Sequence, residues 1–316
     1  MTAQHILDRD KLRSGDRRTI ARAISAVENE HASSMELLRD LFPHTGRGYR
    51  IGVTGPPGAG KSTITNKLAS FYRTQARSVG IVAVDPTSPF TGGALLGDRV
   101  RMTDVDVDPG VFIRSMASRG SLGGLSKKAV EAADILDAAG KDVVIMETVG
   151  VGQSELDIAQ AADSTIVVLV PESGDSIQAM KAGLMEIADI FVLNKADRAG
   201  SDQAVMAIQM ILNFRKVEAW VPQVLKAVAS EGRGIAEIAA AVEQHRTFLE
   251  ASGGLRTRRR ARLERRVADL VGDRLRVDFW SAERRGLLAR QLDEILAGRS
   301  TPYDAAESLL GHFRQT

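Results

Sequence analysis

The sequence predicts an α/β fold with a mostly parallel, doubly wound sheet, flanked by N-terminal helices and a C-terminal helical arm. Three observations lead there. Short β-rich runs alternate with helical stretches between residues 49 and 251. Most of these runs are continuously apolar rather than alternating, which is how strands buried on both faces of a parallel sheet read. The first of them, YRIGVT, enters a glycine-rich loop that is followed at once by a helical stretch, KSTITNKLASFYR.

In chain order, residues 1–48 are polar with Ile20, Ile24, Val27, Leu37, Leu38 and Leu41 at helical spacing, so they read as an N-terminal extension of two or three helices. Pro43 and Gly46 close it. The core, 49–251, offers strands at Arg50–Thr54, Gly80–Asp85, Val111–Ile113, Asp142–Glu147, Ser164–Val170, Ile190–Asn194 and Gln223–Ala227. Residues 252–316 return to helices. One carries Leu263, Val267, Leu270, Val271 and Leu275, a second Leu287, Leu288, Leu292, Ile295 and Leu296, and a third follows Pro302.

Composition narrows the function. With 316 residues and 44% hydrophobic content, the chain can bury a sizeable core. Its net charge of +2 points to neither nucleic acid nor membrane. The charge is uneven: residues 255–316 hold 14 Lys and Arg against 9 Asp and Glu, a net of +5, which leaves −3 for the rest. Zero cysteines exclude a disulfide framework, a thiolate zinc site and a Cys nucleophile, and fit a reducing cytoplasm. The N-terminus mixes acids and bases with no apolar stretch, and runs such as Thr165–Pro171 fall far short of the ~20 residues that span a bilayer. A soluble cytoplasmic protein is expected.

The chemistry begins at Gly55-Pro56-Pro57-Gly58-Ala59-Gly60-Lys61-Ser62-Thr63, which matches the G-x-x-x-x-G-K-[ST] phosphate loop of P-loop NTPases. Glycines let backbone N–H groups turn toward phosphate, and the helix starting near Lys61 aims its positive end at the same place. Lys61 supplies charge for the β and γ phosphates, and the Ser62 hydroxyl is a Mg²⁺ ligand. The alternative is a glycine-rich turn with an incidental lysine, and the strand before it and the helix after it argue against that.

A base site is read at Asn194-Lys195-Ala196-Asp197, after an apolar strand. The Asp197 carboxylate can accept from the N1–H and the N2 amine of guanine; adenine lacks that donor pair, so Asp197 selects GTP. Lys195 can lie along the base plane, and Asn194 can tie this loop to the phosphate loop. A third base element is expected at Val228-Ala229-Ser230, where backbone N–H groups of Ala229 and Ser230 reach the guanine oxygen, although the usual Ser-Ala order is absent.

Carboxylates at strand ends facing such a loop hold Mg²⁺ or its waters, which makes Asp85, Asp98 and Glu147 candidates beside Ser62. Asp98 can instead pair with Arg101. Glu147-Thr148-Val149-Gly150 stands where many GTPases have Asp-x-x-Gly; Gly150 N–H is placed to sense a γ-phosphate, and Gln153 to orient water. No arginine finger is evident, so slow intrinsic hydrolysis is expected.

Together PPGAGKST, AVDPTSPFTGGALLGDRVRM, ETVGVGQSE and NKAD resemble the MeaB/ArgK family of G-protein chaperones for adenosylcobalamin-dependent acyl-CoA mutases, over about residues 20–250. The second string singles out this family. The resemblance implies a homodimer with a GTPase core, an N-terminal helical extension and a C-terminal dimerisation arm. It implies GTP/GDP and Mg²⁺ as ligands. Its client is methylmalonyl-CoA mutase or a relative, whose cofactor loading it gates, which it protects or reactivates, and which in turn stimulates GTP hydrolysis. A third switch corresponds to Gly174–Gly183 with Lys181; Ala182 stands where members often have a second lysine, and SPF replaces the commoner STR. The first departure bears on which lysine function the switch keeps, and the second points to a related mutase acting on a branched acyl-CoA as the client. The rivals are a kinase or energiser of amino-acid transport, a metal-insertion GTPase, disfavoured by zero Cys and five scattered His, and a nucleic-acid-linked GTPase using Arg256–Arg266, where no aromatics interleave the charges.

Overall fold

A computed structural model describes residues 8–85, 105, 107–117, 127–148, 154–171, 182–213 and 219–314. They form two compact units, one ending at Arg258 and the other beginning at Arg259.

The first unit is built on seven strands: β1 (Tyr49–Thr54), β2 (Val79–Asp85), β3 (Val111–Ala117), β4 (Val143–Thr148), β5 (Ser164–Leu169), β6 (Ile190–Leu193) and β7 (Gln223–Lys226). The sheet runs β3-β2-β4-β1-β5-β6-β7 and every pairing is parallel. Alternate side chains feed two cores. Ile51, Val53, Ile81 and Ile145 pack against α4 (Lys61–Thr74) and the helix α9 (Ile235–Ala251). Val82, Val84, Val144 and Met146 pack against α5 (Lys127–Ala138) and α6 (Ser154–Ala161). That double burial is why the strand runs are continuously apolar. A third cluster joins Val167, Leu169, Phe191 and Leu193 to α7 (Ala182–Ile187) and α8 (Ser201–Asn213).

The N-terminal segment forms α1 (Arg9–Arg13), α2 (Arg17–Glu28), α3 (Ser34–Leu41) and a 3-10 turn, Phe42–His44. Asp16 caps α2 by accepting from Thr19 N at 2.8 Å, and Ile20, Ile24 and Val27 face α5 in the second core. The link into β1 is fastened by Asp137, whose carboxylate accepts from the N–H groups of Gly46, Arg47 and Gly48 at 2.8, 3.1 and 2.8 Å. Beside it the buried Arg50 guanidinium donates to Asp134 at 2.6 Å and lies 3.5 Å from Asp137. A buried charge needs such pairing to be tolerated.

Strand β3 is longer than its apolar run Val111–Ile113 predicts, because it is the sheet edge. There Arg114 can point away from the core and pair with Glu28 of α2 while bonding Ser25 Oγ at 3.1 Å.

At the N-terminal ends of the strands lies a polar network. Tyr49 Oη and Ser164 Oγ are 2.6 Å apart, and Ser164 Oγ is 2.7 Å from His245 Nδ1 of α9. His245 Nε2 stands 3.3 Å from Asp189, which also receives both Nη groups of Arg258 at 2.9 and 2.7 Å. Trp220 packs on the imidazole in a tilted arrangement, with ring centroids 4.7 Å apart. Burial pushes the His245 pKa down from 6.5 to about 4, against the attraction of the Asp189 carboxylate. Between those values the unfolded chain binds a proton that the folded chain refuses. Stability is therefore whole above pH 6.5 and falls toward pH 4, by up to about 3 kcal/mol from this one group. In urea titrations at pH 7 and 4.5, His245→Gln should lose about 2–3 kcal/mol less than the parent between the two pH values. An identical loss in both would mean that His245 titrates normally in the fold.

The second unit holds the remainder of α10 (Gly254–Phe279), α11 (Ala282–Leu296) and α12 (Pro302–Arg314). Arg284 is buried in it, 8% exposed. The guanidinium donates to the carbonyls of Asp278 and Phe279 at 3.2 and 2.8 Å and lies over the rings of Phe279 and Phe313. Along α10, Leu263, Val267, Val271 and Leu275 repeat every four residues and all are exposed. No helix among the described residues is long and apolar enough to cross a membrane.

Candidate functional site

β1 sits mid-sheet between β4 and β5, where the strand order reverses, and its C-terminal end opens into the crevice where α/β proteins bind ligands. The loop Gly55–Gly60 fills that position. Its shape depends on two glycines. Gly55 has φ +135°, and a Cβ there would lie 2.1 Å from the Val168 carbonyl oxygen; Gly60 has φ +91°, and a Cβ there would lie 2.2 Å from Asn194 Nδ2. No L side chain satisfies either demand. Pro56 is half-buried, Pro57 and Gly58 form an exposed crest, and Ala59 is buried beneath.

Gly60 ends the loop and α4 starts at Lys61, so the helix N-terminus faces the cradle. The Lys61 ammonium, 6% exposed, donates to the loop's own carbonyls, Gly55 O at 2.9 Å and Pro56 O at 3.0 Å. Thr63, half-buried, lies in the first turn of the helix. A side-chain-free cradle, a helix N-terminus and a curled lysine fit the polyphosphate of a nucleotide.

Two metal candidates meet at this point. Ser62 Oγ donates to Glu147 Oε1 at 2.5 Å, bringing the start of α4 to the end of β4. A hydroxyl and a carboxylate are the hard oxygen donors that suit Mg²⁺. One residue further, Thr148 Oγ1 is 2.9 Å from Thr54 Oγ1, the residue before Gly55. No motif in the sequence signals this contact, since only strand register reveals it. Asp85 ends β2 beside β4, but its side chain lies outside the described residues. So do Asp98, Gly150, Gln153, and Lys181 with the rest of the 174–181 stretch.

The base loop begins at Asn194, 3% exposed. Its Nδ2 donates to Ala59 O at 2.8 Å, and its Oδ1 accepts from Ala229 N at 3.1 Å. One side chain thus joins the phosphate loop, the end of β6 and the turn after β7. Lys195 adopts φ +57°, a left-handed conformation that a non-glycine residue holds only when its surroundings enforce it. Ala196 N–H donates to Ala227 O at 3.0 Å and supplies that enforcement. Asp197 stands exposed at the loop's tip. In the third element Val228 and Ala229 are buried and Ser230 is exposed. The Ala229 N–H, expected to face a guanine oxygen, is held by Asn194 instead, which leaves Ser230 as the outward member.

Comparison with known proteins bears on this geometry. The family described as "Methylmalonyl Co-A mutase-associated GTPase MeaB" matches residues 20–284. A relative in Pyrococcus abyssi, named only at the level of GTPase, is 46% identical over 305 residues, covering 95% of this chain and 94% of that one. GTPase ArgK of Escherichia coli is 44% identical over 254 residues, covering 78% of this chain and 77% of that one. Among solved structures, a crystal structure of a LAO/AO transport system kinase superposes with a TM-score of 0.75 at 31% identity, covering 100% of this chain and 99% of that one. The fold, the phosphate loop and these matches agree: this chain belongs to the MeaB family of mutase-associated GTPases and hydrolyses GTP.

Proposed function

We propose that this GTPase is the chaperone of an adenosylcobalamin-dependent acyl-CoA mutase, methylmalonyl-CoA mutase or a relative, gating its cofactor loading and protecting or reactivating it. The observation that carries the nucleotide half is the Asn194 brace, which fixes the base loop against the phosphate loop through Ala59 and Ala229. The mutase half is supported by the description of the matching family.

In this reading Gly55–Thr63 encloses the phosphates, and Lys61 leaves its loop carbonyls to neutralise the β and γ oxygens. Ser62 and Glu147 hold Mg²⁺, with Asp85 and Asp98 as further partners, and that ion supplies positive charge at the phosphate oxygens. Asp197 accepts from the guanine edge, Lys195 lies along the ring, and Val228–Ser230 closes the far side. The Gly150 N–H senses the γ-phosphate, and Gln153 orients the attacking water. Lys181 completes the charge on the γ-phosphate when the mutase docks; a cation so delivered is worth about 10³–10⁵-fold in rate. Two copies associate through residues 252–316, where the exposed Leu263, Val267, Val271 and Leu275 stripe needs a covering surface.

The test is single-turnover GTP hydrolysis with and without methylmalonyl-CoA mutase. Stimulation is expected in the parent and lost in Lys181→Ala, with basal rates alike. An unstimulated parent contradicts the partnership, whereas full stimulation of the variant passes the activating role to Gln153 or to the mutase itself. Light scattering of the GTPase alone should give twice the chain mass; the mass of one chain would contradict the dimer.

A further inference from the structure

The last two residues of β4 hold the phosphate loop at both of its ends. Glu147 accepts from Ser62, just after Lys61, and Thr148 pairs with Thr54, just before Gly55. Register makes this possible. β1 and β4 are adjacent and parallel with Val53 opposite Glu147, so Thr54 and Thr148 come level at the strand ends. Glu147 and Thr148, being consecutive in a strand, project to opposite faces and reach the two flanks of one loop.

The Thr54–Thr148 contact is costly to build there. Thr54 is 0% and Thr148 1% exposed, in a sheet whose neighbouring strand positions are largely Ile, Val and Met. Valine would fill the same volume without a polar atom to satisfy. A buried hydroxyl is tolerated only with a partner, and among the described residues each of these has only the other.

We propose that Thr148, through Thr54, is a positioning residue for GTP hydrolysis: the hydroxyl pair fixes the end of β4, and with it the Glu147 carboxylate, against the start of the phosphate loop. The inference rests on the nucleotide and Mg²⁺ site described above. The two contacts then have different duties. The Ser62 hydroxyl would give an oxygen lone pair to Mg²⁺ and can keep its proton on Glu147, so that contact serves the ligand directly. The threonine pair lies outside that donor set and anchors the strand end that carries Glu147. Loss of the pair leaves nucleotide affinity to the loop glycines and Lys61, and misplaces the Glu147 carboxylate during the chemical step.

The experiment compares Thr148→Val, Thr54→Val and the double variant by GDP calorimetry, thermal unfolding and single-turnover GTP hydrolysis. Each single variant should bind GDP within about threefold of the parent, while its hydrolysis rate falls about tenfold with little change in KM. Each should also be less stable, because one hydroxyl is left buried without its partner. The double variant removes both polar atoms, so it should regain stability and keep the slow rate. Recovery of rate together with stability would reduce the pair to packing and overturn the proposal. So would a GDP affinity that falls in step with the rate, since the pair would then merely hold the loop. A parent protein that bound no GDP would instead overturn the site itself, an outcome distinct from either.

Discussion

Lys61→Ala is expected to weaken GDP and GTP binding about 10²-fold and to abolish measurable hydrolysis, while thermal unfolding stays close to the parent's. The ammonium is buried at the mouth of the loop, where it donates to two carbonyl oxygens, Gly55 O and Pro56 O. A phosphate offers it a charged acceptor in the same place. Hydrogen bonds between charged partners contribute about 1.5–3 kcal/mol, and at the upper end that is about two orders of magnitude in affinity. The fold should tolerate the change because the loop's backbone path is set by Gly55 and Gly60, whose close approaches to Val168 and Asn194 do not involve Lys61. Hydrolysis suffers more than binding, because the negative charge to be neutralised grows on the γ oxygens during transfer. Calorimetry with GDP checks it; equal affinity in variant and parent would remove Lys61 and the loop from the phosphate site.

Much of this architecture is legible in the sequence for a physical reason. A parallel strand covered on both faces must be apolar at nearly every position, and VVIMET or STIVVL announces itself without any partner in view. The edge strand is the exception. Arg114 interrupts its apolar run, and only the position of β3 at the sheet edge, with Glu28 within reach, explains how the strand continues. The glycine-rich loop after β1 and the Asn194–Asp197 turn after β6 are legible because their pattern is local: six backbone positions before a lysine, four residues after a strand.

What the sequence conceals is pairing across distance. Tyr49, Ser164, Asp189, His245 and Arg258 come from five separate places, and no spacing rule unites them; the parallel sheet does, by bringing the starts of β1, β5 and β6 to one pole. Thr54 and Thr148 are hidden for the same reason, since each alone reads as an ordinary β-branched strand residue. In the third base element the Ala229 N–H is taken by Asn194, a competition that no local pattern displays because the two residues lie on different strands' ends.

In the proposed function one cleft reads a guanine base at Asp197 and holds its phosphates at Gly55–Thr63, with Asn194 bracing the two loops together. A site that hydrogen-bonds a substrate's N–H pair rejects an analogue lacking it by about 10⁴–10⁵-fold, because its own buried acceptors go unpaired. Asp197 is exposed, so the discrimination develops as the base covers it, and the lower figure is the one to expect. Asp197→Asn replaces one acceptor by a donor of the same shape. Xanthine carries an oxygen where guanine carries its amine, so the variant should lose GTP and gain xanthosine triphosphate. The direct measurement is competition calorimetry of GTP, ATP and xanthosine triphosphate against both proteins. GTP should run far ahead of ATP in the parent, and xanthosine triphosphate ahead of GTP in Asp197→Asn; ATP competing as well as GTP in the parent would contradict the base site.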